Sequence, residues 1–351
     1  MSSKQNTYQQ TLELIAAILS FETSNELLSQ RLESNNIDWE QFVKLSSEQL
    51  VMTTCYCRLA QKQALDAIPE DLKLYLEEVT SINRQRNLKL IDEIKVITQT
   101  FNTNNIDYVL LKGAALLMGN SFQDIGERMV GDVDILVSSK HINKAFQLIS
   151  TIGYDQSKDF NYTINDFRHL PRQFTDDKLA VIELHSSVLD PKFKHLLDDD
   201  AVLNTKIAQH NVFIPTPYYA NLINIMGLQV NSKGYQYRHW FLRNMYDSLV
   251  LKLDSQTDLL LDYKDNLYVI DYLSKCQAIF SSVTFEPENQ NVKRKTKYYT
   301  FKLKHFWWHQ LLYKSKYIFY SIYDRIRLFI KNSSYRKLLY RHLFNKSTSC
   351  F

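Results

Sequence analysis

The sequence predicts an α+β fold, in which a small mixed sheet with flanking helices lies between helical N-terminal and C-terminal regions. Only 7 Gly and 6 Pro occur among the 351 residues, which favours long helices and few tight turns. Short apolar runs typical of strands are concentrated in the middle of the chain, while the residues on either side show the three- and four-residue apolar spacing of helices. We therefore expect four regions, at 1–104, 105–216, 217–292 and 293–351.

The composition is that of a soluble globular protein, with 45% hydrophobic and 23% charged residues in 41.5 kDa. The four cysteines, Cys55, Cys57, Cys276 and Cys350, include no C-x-x-C pair, and this spacing excludes a typical zinc site and a disulfide framework. The polar N-terminus lacks the layout of a signal peptide, and no apolar stretch reaches the roughly 18 residues of a membrane span. We expect a cytoplasmic protein that is at most peripheral at the membrane.

The first region is predicted to be helical throughout. Apolar residues recur at helical spacing from 8 to 33, with a break at Thr23-Ser24, where Ser24 can cap a second helix. A long helical pattern then runs from 70 to 104 and ends in a turn-like cluster of asparagines.

The second region contains the predicted sheet. Its expected elements are, in order, a strand at Tyr108 to Leu111, a helix from Gly113 to about Phe122, a strand at Asp132 to Val137, a helix at Lys140 to Ser150, a hairpin at 167–186 and a strand at Val212 to Ile214. The third region begins with Pro217 at a helix start and continues with a helix that carries Arg238, Arg243 and Asp247. These three side chains either pair inside the protein or contact a substrate.

The last region is strongly basic. It holds 15 of the 42 Lys and Arg residues and one of the 38 acidic residues, Asp324, so that 1–292 contains the other 27 basic and 37 acidic residues. Aromatic and aliphatic residues recur at helical spacing among the basic ones. Three interpretations fit this pattern: a helix packed on its own domain, docking of 293–346 to an anionic membrane surface or a partner, and a nucleic-acid surface.

Two aspartates one residue apart, Asp132 and Asp134, lie in the second predicted strand. Because side chains alternate along a strand, both carboxylates point to the same face. Glu183 lies on a later strand and shares a face with His185, which is either a metal ligand or a structural histidine beside the site. Three carboxylates at one sheet edge repel one another unless cations neutralise them, and oxygen ligands favour Mg²⁺ or Mn²⁺. The pattern predicts metal-assisted phosphoryl transfer. The alternative interpretation is a strand end with solvated aspartates, which would show the same sequence pattern.

Gly113 is predicted to open a helix directly after a strand, and Lys112 immediately precedes it. The first turn of a helix has unpaired N–H groups and a partial positive charge, so a glycine there lets a phosphate approach.

With these residues the chain resembles the nucleotidyltransferase superfamily that has the polymerase β-like fold, and more closely a family of bacterial proteins described as nucleotidyltransferases. The resemblance rests on LLKGAAL at 110–116, ERMVGDVDILV at 127–137 and IELH at 182–185. It extends to NNIDWEQFVKLSSEQL upstream and RHWFLRNMYDSLVL downstream, and so covers roughly 25–255.

The resemblance implies a nucleotidyltransferase-type sheet and the use of an NTP as substrate. Asp132 and Asp134 would bind two divalent ions that bridge the triphosphate, and Glu183 would hold the second ion and orient or deprotonate an acceptor hydroxyl. The implied phosphate-binding residues are Lys112, Gly113 and Arg128.

The helix start departs from the superfamily pattern. Gly-Ser or Gly-Gly is usual there, whereas Ala114 follows Gly113 in this chain and nineteen positions separate Gly113 from Asp132. Lys112 could instead be a solvated lysine at a strand end, and Arg128 could pair with Glu127 or Asp124.

The leading hypothesis is a Mg²⁺-dependent nucleotidyltransferase that moves a nucleoside monophosphate to a hydroxyl of a small molecule, a sugar, a peptide or an RNA. One alternative is a non-catalytic accessory or binding protein of a biosynthetic or polysaccharide pathway that keeps the fold. Another is a toxin-like nucleotidyltransferase that modifies tRNA, for which the basic tail is the only support.

Overall fold

The computed structural model describes residues 2–33, 37–158, 162 and 168–344. Its helices are α1 (Ser2–Leu19), α2 (Asn25–Leu32), α3 (Trp39–Glu48), α4 (Met52–Gln61), α5 (Glu70–Thr103), α6 (Lys112–Met118), α7 (Ile142–Thr151), α8 (Asp199–Asn204), α9 (Pro217–Met226), α10 (Gly234–Tyr237), α11 (Leu242–Val250), α12 (Thr257–Asp262), α13 (Leu267–Ile279), α14 (Gln290–Lys304), α15 (Phe306–Lys331) and α16 (Ser333–Phe344). Its strands are β1 (Tyr108–Leu110), β2 (Val133–Val137), β3 (Gln156–Lys158), β4 (Arg172–Phe174), β5 (Ile182–His185), β6 (Ile207–Gln209) and β7 (Val212–Ile214).

The main sheet has five strands in the order β1-β2-β5-β4-β3, and β6 pairs with β7 in a separate two-stranded sheet. Strands β2 and β5 are parallel, whereas the other neighbours in the main sheet are antiparallel. The predicted small mixed sheet with flanking helices is thus confirmed.

The two faces of the sheet pack into two hydrophobic cores. Ile135 and Val137 of β2 join a core with α5, α6 and α7, while Leu136 joins a larger core on the other face. This alternation follows from the two-residue period of a strand. The larger core combines the N-terminal helices with α9, α11 and α13, so these helices lie on the face towards which Asp134 also points.

Several local predictions are confirmed. The Leu27 N–H donates to Ser24 Oγ (3.2 Å), so Ser24 caps α2 as expected, and α5 is one helix of 34 residues. The predicted hairpin forms from β4 and β5, while its first residue, Phe167, lies outside the described residues.

The predicted placement of Arg238 on the same helix as Arg243 is wrong. Helix α11 begins at Leu242, and Arg238 has a left-handed backbone (φ 55°) that ends α10. A left-handed residue cannot continue a right-handed helix, so the two arginines belong to separate elements.

Candidate metal and anion site

Three acidic side chains meet where β2 and β5 lie side by side. The parallel register places Asp134 opposite Glu183 and Leu136 opposite His185, and Asp132 directly precedes β2. The His185 Nε2 lies 2.8 Å from Asp134 Oδ1 and 3.4 Å from Glu183 Oε2. Because an ionised carboxylate only accepts hydrogen bonds, this nitrogen carries a hydrogen and donates a hydrogen bond to Asp134.

Two cations neutralise this cluster in part. Lys112 Nζ lies 2.5 Å from Asp134 Oδ1. Arg172 on β4 bridges the other two acids, with Nε 2.5 Å from Glu183 Oε1 and Nη2 3.4 Å from Asp132 Oδ2. The cluster therefore contains three carboxylates and two permanent cations, which leaves an excess of negative charge.

The neighbours of each acid decide its ionisation. Burial acts to raise the pKa of Asp134, but Lys112 and the hydrogen bond from His185 outweigh it and hold that pKa well below its usual range. Burial likewise acts to raise the pKa of Glu183, and the hydrogen bond with His185 outweighs it, so that the pKa falls to about 2. Burial raises the pKa of Asp132 although Arg172 opposes it. Asp134 and Glu183 are thus ionised at neutral pH.

The donor set fits a divalent cation. One ligand atom each from Asp134, Glu183 and His185 lies within 4.8 Å of the others, and all three side chains are buried. Asp132 stands beside this group, joined to it through Arg172. Carboxylate oxygens suit Mg²⁺ and Mn²⁺, and an imidazole nitrogen also suits Mn²⁺ and zinc.

Lys112 occupies a strained backbone position. Its φ is +50°, in the left-handed region that non-glycine residues rarely adopt. This conformation starts α6, and the lysine side chain pairs with Asp134. Strain of this kind is often concentrated at functional sites.

Arg128 is held by a buried carboxylate. Its guanidinium donates two hydrogen bonds to Asp247 on α11, each 2.8 Å long, and both side chains are almost fully buried. The expected alternative partners of Arg128 are engaged elsewhere: Glu127 accepts from Tyr246, and Asp124 pairs with Arg84.

The Arg128 guanidinium also explains Gly113. A Cβ at position 113 would collide with Arg128 Nη1, so any side chain there would push the guanidinium away. The glycine thus allows the Arg128 guanidinium to approach the start of α6 closely, at the position where the sequence predicts a phosphate.

The loop between α6 and β2 is fixed by polar side chains of α5. Asn83 Nδ2 donates to the Gly126 carbonyl (2.7 Å), and Asn87 Nδ2 donates to the Arg128 carbonyl (2.8 Å). Both asparagines are buried. A pair of asparagines four residues apart inside a long amphipathic helix is the sequence signal for this role, and it was missed.

A cationic pocket of about 360 Å³ adjoins the acids. Its charged walls are Lys112, Arg128, Arg168 and Arg243, and the rest of its lining comes largely from α9, the π-helical turn after it, and α11. Within the described part of the chain Arg243 has no ion-pair partner, and its buried Nε has no hydrogen bond. Burial lowers the pKa of Arg243 to about 10, and the nearby Arg128 acts in the same direction.

The structure thus brings Lys112, Asp132, Asp134 and Glu183 into one cluster, while Arg128 lines the adjoining pocket and Gly113 lies against Arg128. Arg238 lies apart from them and donates to the Tyr298 hydroxyl. Arg172 was missed from the sequence, because only strand pairing reveals that β4 lies beside the acids.

A family model described as "Uncharacterised nucleotidyltransferase" matches residues 35–251, more than half of the chain. The matched segment includes the main sheet, the acidic cluster and the pocket, and it ends before α12. No curated protein matches the chain.

Proposed function

The chain belongs to this family of uncharacterised nucleotidyltransferases, and we propose that it is a Mg²⁺- or Mn²⁺-dependent enzyme that transfers a nucleoside monophosphate from an NTP to a hydroxyl acceptor and releases pyrophosphate. The observation that carries this proposal is the position of Lys112, which pairs with Asp134 in the acidic cluster and also lines the cationic pocket. The acidic cluster, which is proposed to bind metal, and the cationic pocket, which is proposed to bind phosphate, therefore meet at Lys112.

Asp132, Asp134 and Glu183 are the proposed metal-binding residues, and His185 becomes a further ligand only when its Nε2 no longer carries the hydrogen that it donates to Asp134. When bound, divalent metal ions stabilise the charge of the attacking and leaving oxygens in an in-line phosphoryl displacement. The excess of carboxylates over cations in the cluster supports such binding.

Phosphate binding is assigned to the pocket cations. Arg243 forms no ion pair among the described residues, although the charges of Asp247 and Asp134 act on it, so its guanidinium is available to phosphate oxygens, and Lys112 can contact the same phosphate from the acidic side. Arg128 is fixed by Asp247 and contributes mainly positive potential. The pocket volume lies at the low end of ligand sites, about 300–1,000 Å³, which suits a phosphate chain better than a whole nucleotide.

Glu183 is better suited to orient the acceptor hydroxyl than to deprotonate it. The hydrogen bond with His185 holds the pKa of Glu183 below its ordinary value despite burial, and a carboxylate stabilised in this way is a weaker base. Its short contact with Arg172 further favours the ionised form. The proposed role is therefore to accept a hydrogen bond from the hydroxyl or to hold a metal ion.

The test is nucleotidyl transfer from each of the four common NTPs to a panel of small-molecule, sugar, peptide and RNA acceptors, measured as pyrophosphate release with Mg²⁺ or Mn²⁺. Asp134→Asn should lower the rate by about 10³-fold or more, since each factor of ten corresponds to about 1.4 kcal/mol of transition-state stabilisation and metal coordination supplies several kcal/mol. Asp177→Asn is the matched control, because Asp177 is exposed in the hairpin turn. If neither NTP nor metal binds the wild type, the protein is a non-catalytic member that keeps the fold.

A further inference from the structure

Helix α15 turns its apolar face away from the protein. Large apolar side chains recur along it at mostly three- and four-residue spacing and are 42–57% exposed: Trp308, Leu311, Ile318, Ile322, Ile326 and Phe329. A helix that packs on its own domain normally buries such a stripe. Large contiguous apolar patches on a soluble protein mark interaction sites.

The opposite face of α15 fixes this orientation. The rings of Tyr317 and Tyr320 pack around Tyr237, with centroids 5.6 Å and 6.2 Å from it. Asp324, which is the only acidic residue after position 292, forms an ion pair with Lys233. The polar, tyrosine-rich side of the helix therefore faces the body, and the aliphatic side faces outwards.

Basic residues border the apolar face on both sides. Lys314 and Arg325 are eleven residues apart, which is close to three helical turns, so they follow one margin. On the other margin Arg327 is exposed, whereas Lys316, with the same spacing from it, is half-buried and lines a pocket with Arg238 and Tyr298 on the side of the body. None of the four has an ion-pair partner among the described residues. Long basic side chains at such margins can reach anionic headgroups while their stems lie on the apolar phase.

We propose that α15 lies in the surface of a bilayer that contains anionic lipids, with its apolar face in the acyl region and its basic margins at the headgroups. The exposed tryptophans Trp307 and Trp308 suit the interfacial depth at which such rings are enriched. No helix among the described residues is long and apolar enough to cross the bilayer.

Two other occupants fit the face less well. A second copy of the chain would bring basic margins against basic margins, and like charges oppose such pairing. A nucleic acid would match the charge but offers no apolar phase for Ile318, Ile322 and Ile326, since bases stack on aromatic rings and not on branched aliphatic chains.

The test is flotation of the full-length protein with vesicles of neutral phosphatidylcholine alone or with added anionic phosphatidylglycerol. The protein should float with the anionic vesicles at low salt, and binding should weaken at about 0.5 M NaCl because salt screens the headgroup charge. The emission of Trp307 and Trp308 should shift to the blue on binding, and Trp307→Phe/Trp308→Phe should lose that shift.

The variant Ile322→Glu/Ile326→Glu should reduce partitioning by about tenfold or more, because it places two charges in the acyl region. Ile82→Glu on α5 is the control, since Ile82 is 62% exposed and belongs to a different helix. This substitution should leave vesicle binding unchanged. Because all three positions are exposed, thermal unfolding should be the same for each variant.

Several results would overturn the proposal. They are absence of binding to anionic vesicles at low salt, equal binding by the double variant, a dimer that the double variant breaks, and RNA binding that competes the protein off vesicles.

Discussion

Two ionic clusters in this protein contain acidic and basic side chains in opposite proportions. At the sheet edge, Asp132, Asp134 and Glu183 share the cations Lys112 and Arg172. In the helical core, the single carboxylate of Asp271 accepts from two lysines, a tyrosine and a glutamine: Lys275, Lys295, Tyr299 and Gln229. The first cluster has more carboxylates than cations, and the second has more cations than carboxylates.

This difference in charge means that the cluster at the sheet edge can bind a further cation, whereas the cluster around Asp271 only holds helices together. Burial acts to raise the pKa of Asp271, but Lys275 outweighs it and lowers that pKa. Side chains of the protein supply the donors to the Asp271 carboxylate, so its hydrogen-bonding capacity is satisfied without a bound ion. At the sheet edge a further cation would relieve repulsion between the acids, and the partly exposed Lys112 and Arg172 have room to move aside.

The largest effect on stability is expected in the helical core. Asp271→Ala leaves Lys275 charged and fully buried without its partner, and should lower the free energy of unfolding by about 3–5 kcal/mol. Denaturant unfolding measures this loss. Asp265→Ala should change stability by less than about 0.5 kcal/mol, since Asp265 is exposed. Equal effects of the two substitutions would mean that the core cluster is not a stability element.

A smaller effect of opposite sign is expected at the sheet edge. Mn²⁺ at about 100 times its dissociation constant should raise the free energy of unfolding by about 2.7 kcal/mol, because it binds the folded state only. Glu183→Gln should remove most of this gain, since it deletes one ligand charge. Thermal unfolding with and without Mn²⁺ measures it, and Asp177→Asn should retain the full gain. If Mn²⁺ does not raise the free energy of unfolding of the wild type, the acidic cluster is not a metal site.

Glu127 extends the comparison to a buried acid that has Arg58 nearby but forms no ion pair with it. It accepts hydrogen bonds from Tyr246 and Gln61 but forms no ion pair among the described residues, and burial raises its pKa. A raised folded pKa means that stability is fully present below the ordinary value near 4.5 and is lost as pH rises through the folded pKa.

The smallest expected effect is a loss of stability with rising pH, which follows from the raised pKa of Glu127. Between about pH 4.5 and pH 7 the wild type should lose free energy of unfolding relative to Glu127→Gln, which cannot ionise. Denaturant unfolding of both proteins at the two pH values gives the difference. A constant difference across that range would show that Glu127 ionises as easily in the folded protein as in the unfolded chain.

Much of the fold was predictable because it rests on local patterns. The long apolar period of α5, the cap at Ser24 and the hairpin turn each act within a few residues of the chain. The shared face of Asp132 and Asp134 was also predictable, since alternation along a strand places alternate side chains on one face. The approach of Glu183 and Lys112 to Asp134 depends on contacts between separate elements. The division into four regions, and the roles of the site residues, stay predictions.

Partners distant in the chain could not be predicted. Arg128 is bound to Asp247 rather than to either acid near it in sequence, and Arg172 reaches two acids through strand pairing. Asn83 and Asn87 fix the loop before β2 although they lie about forty residues away from it.

By itself the sequence determined the long helix α5, the acid-bearing strands and the basic character of the tail, because helix and strand periods and net charge are local or additive properties. Only the tertiary structure decided which cation meets which carboxylate, that Arg243 lines the pocket without an ion pair among the described residues, and that α15 faces outwards with its apolar side. Those outcomes depend on the relative placement of elements far apart in the chain, and the same local pattern is compatible with several such placements.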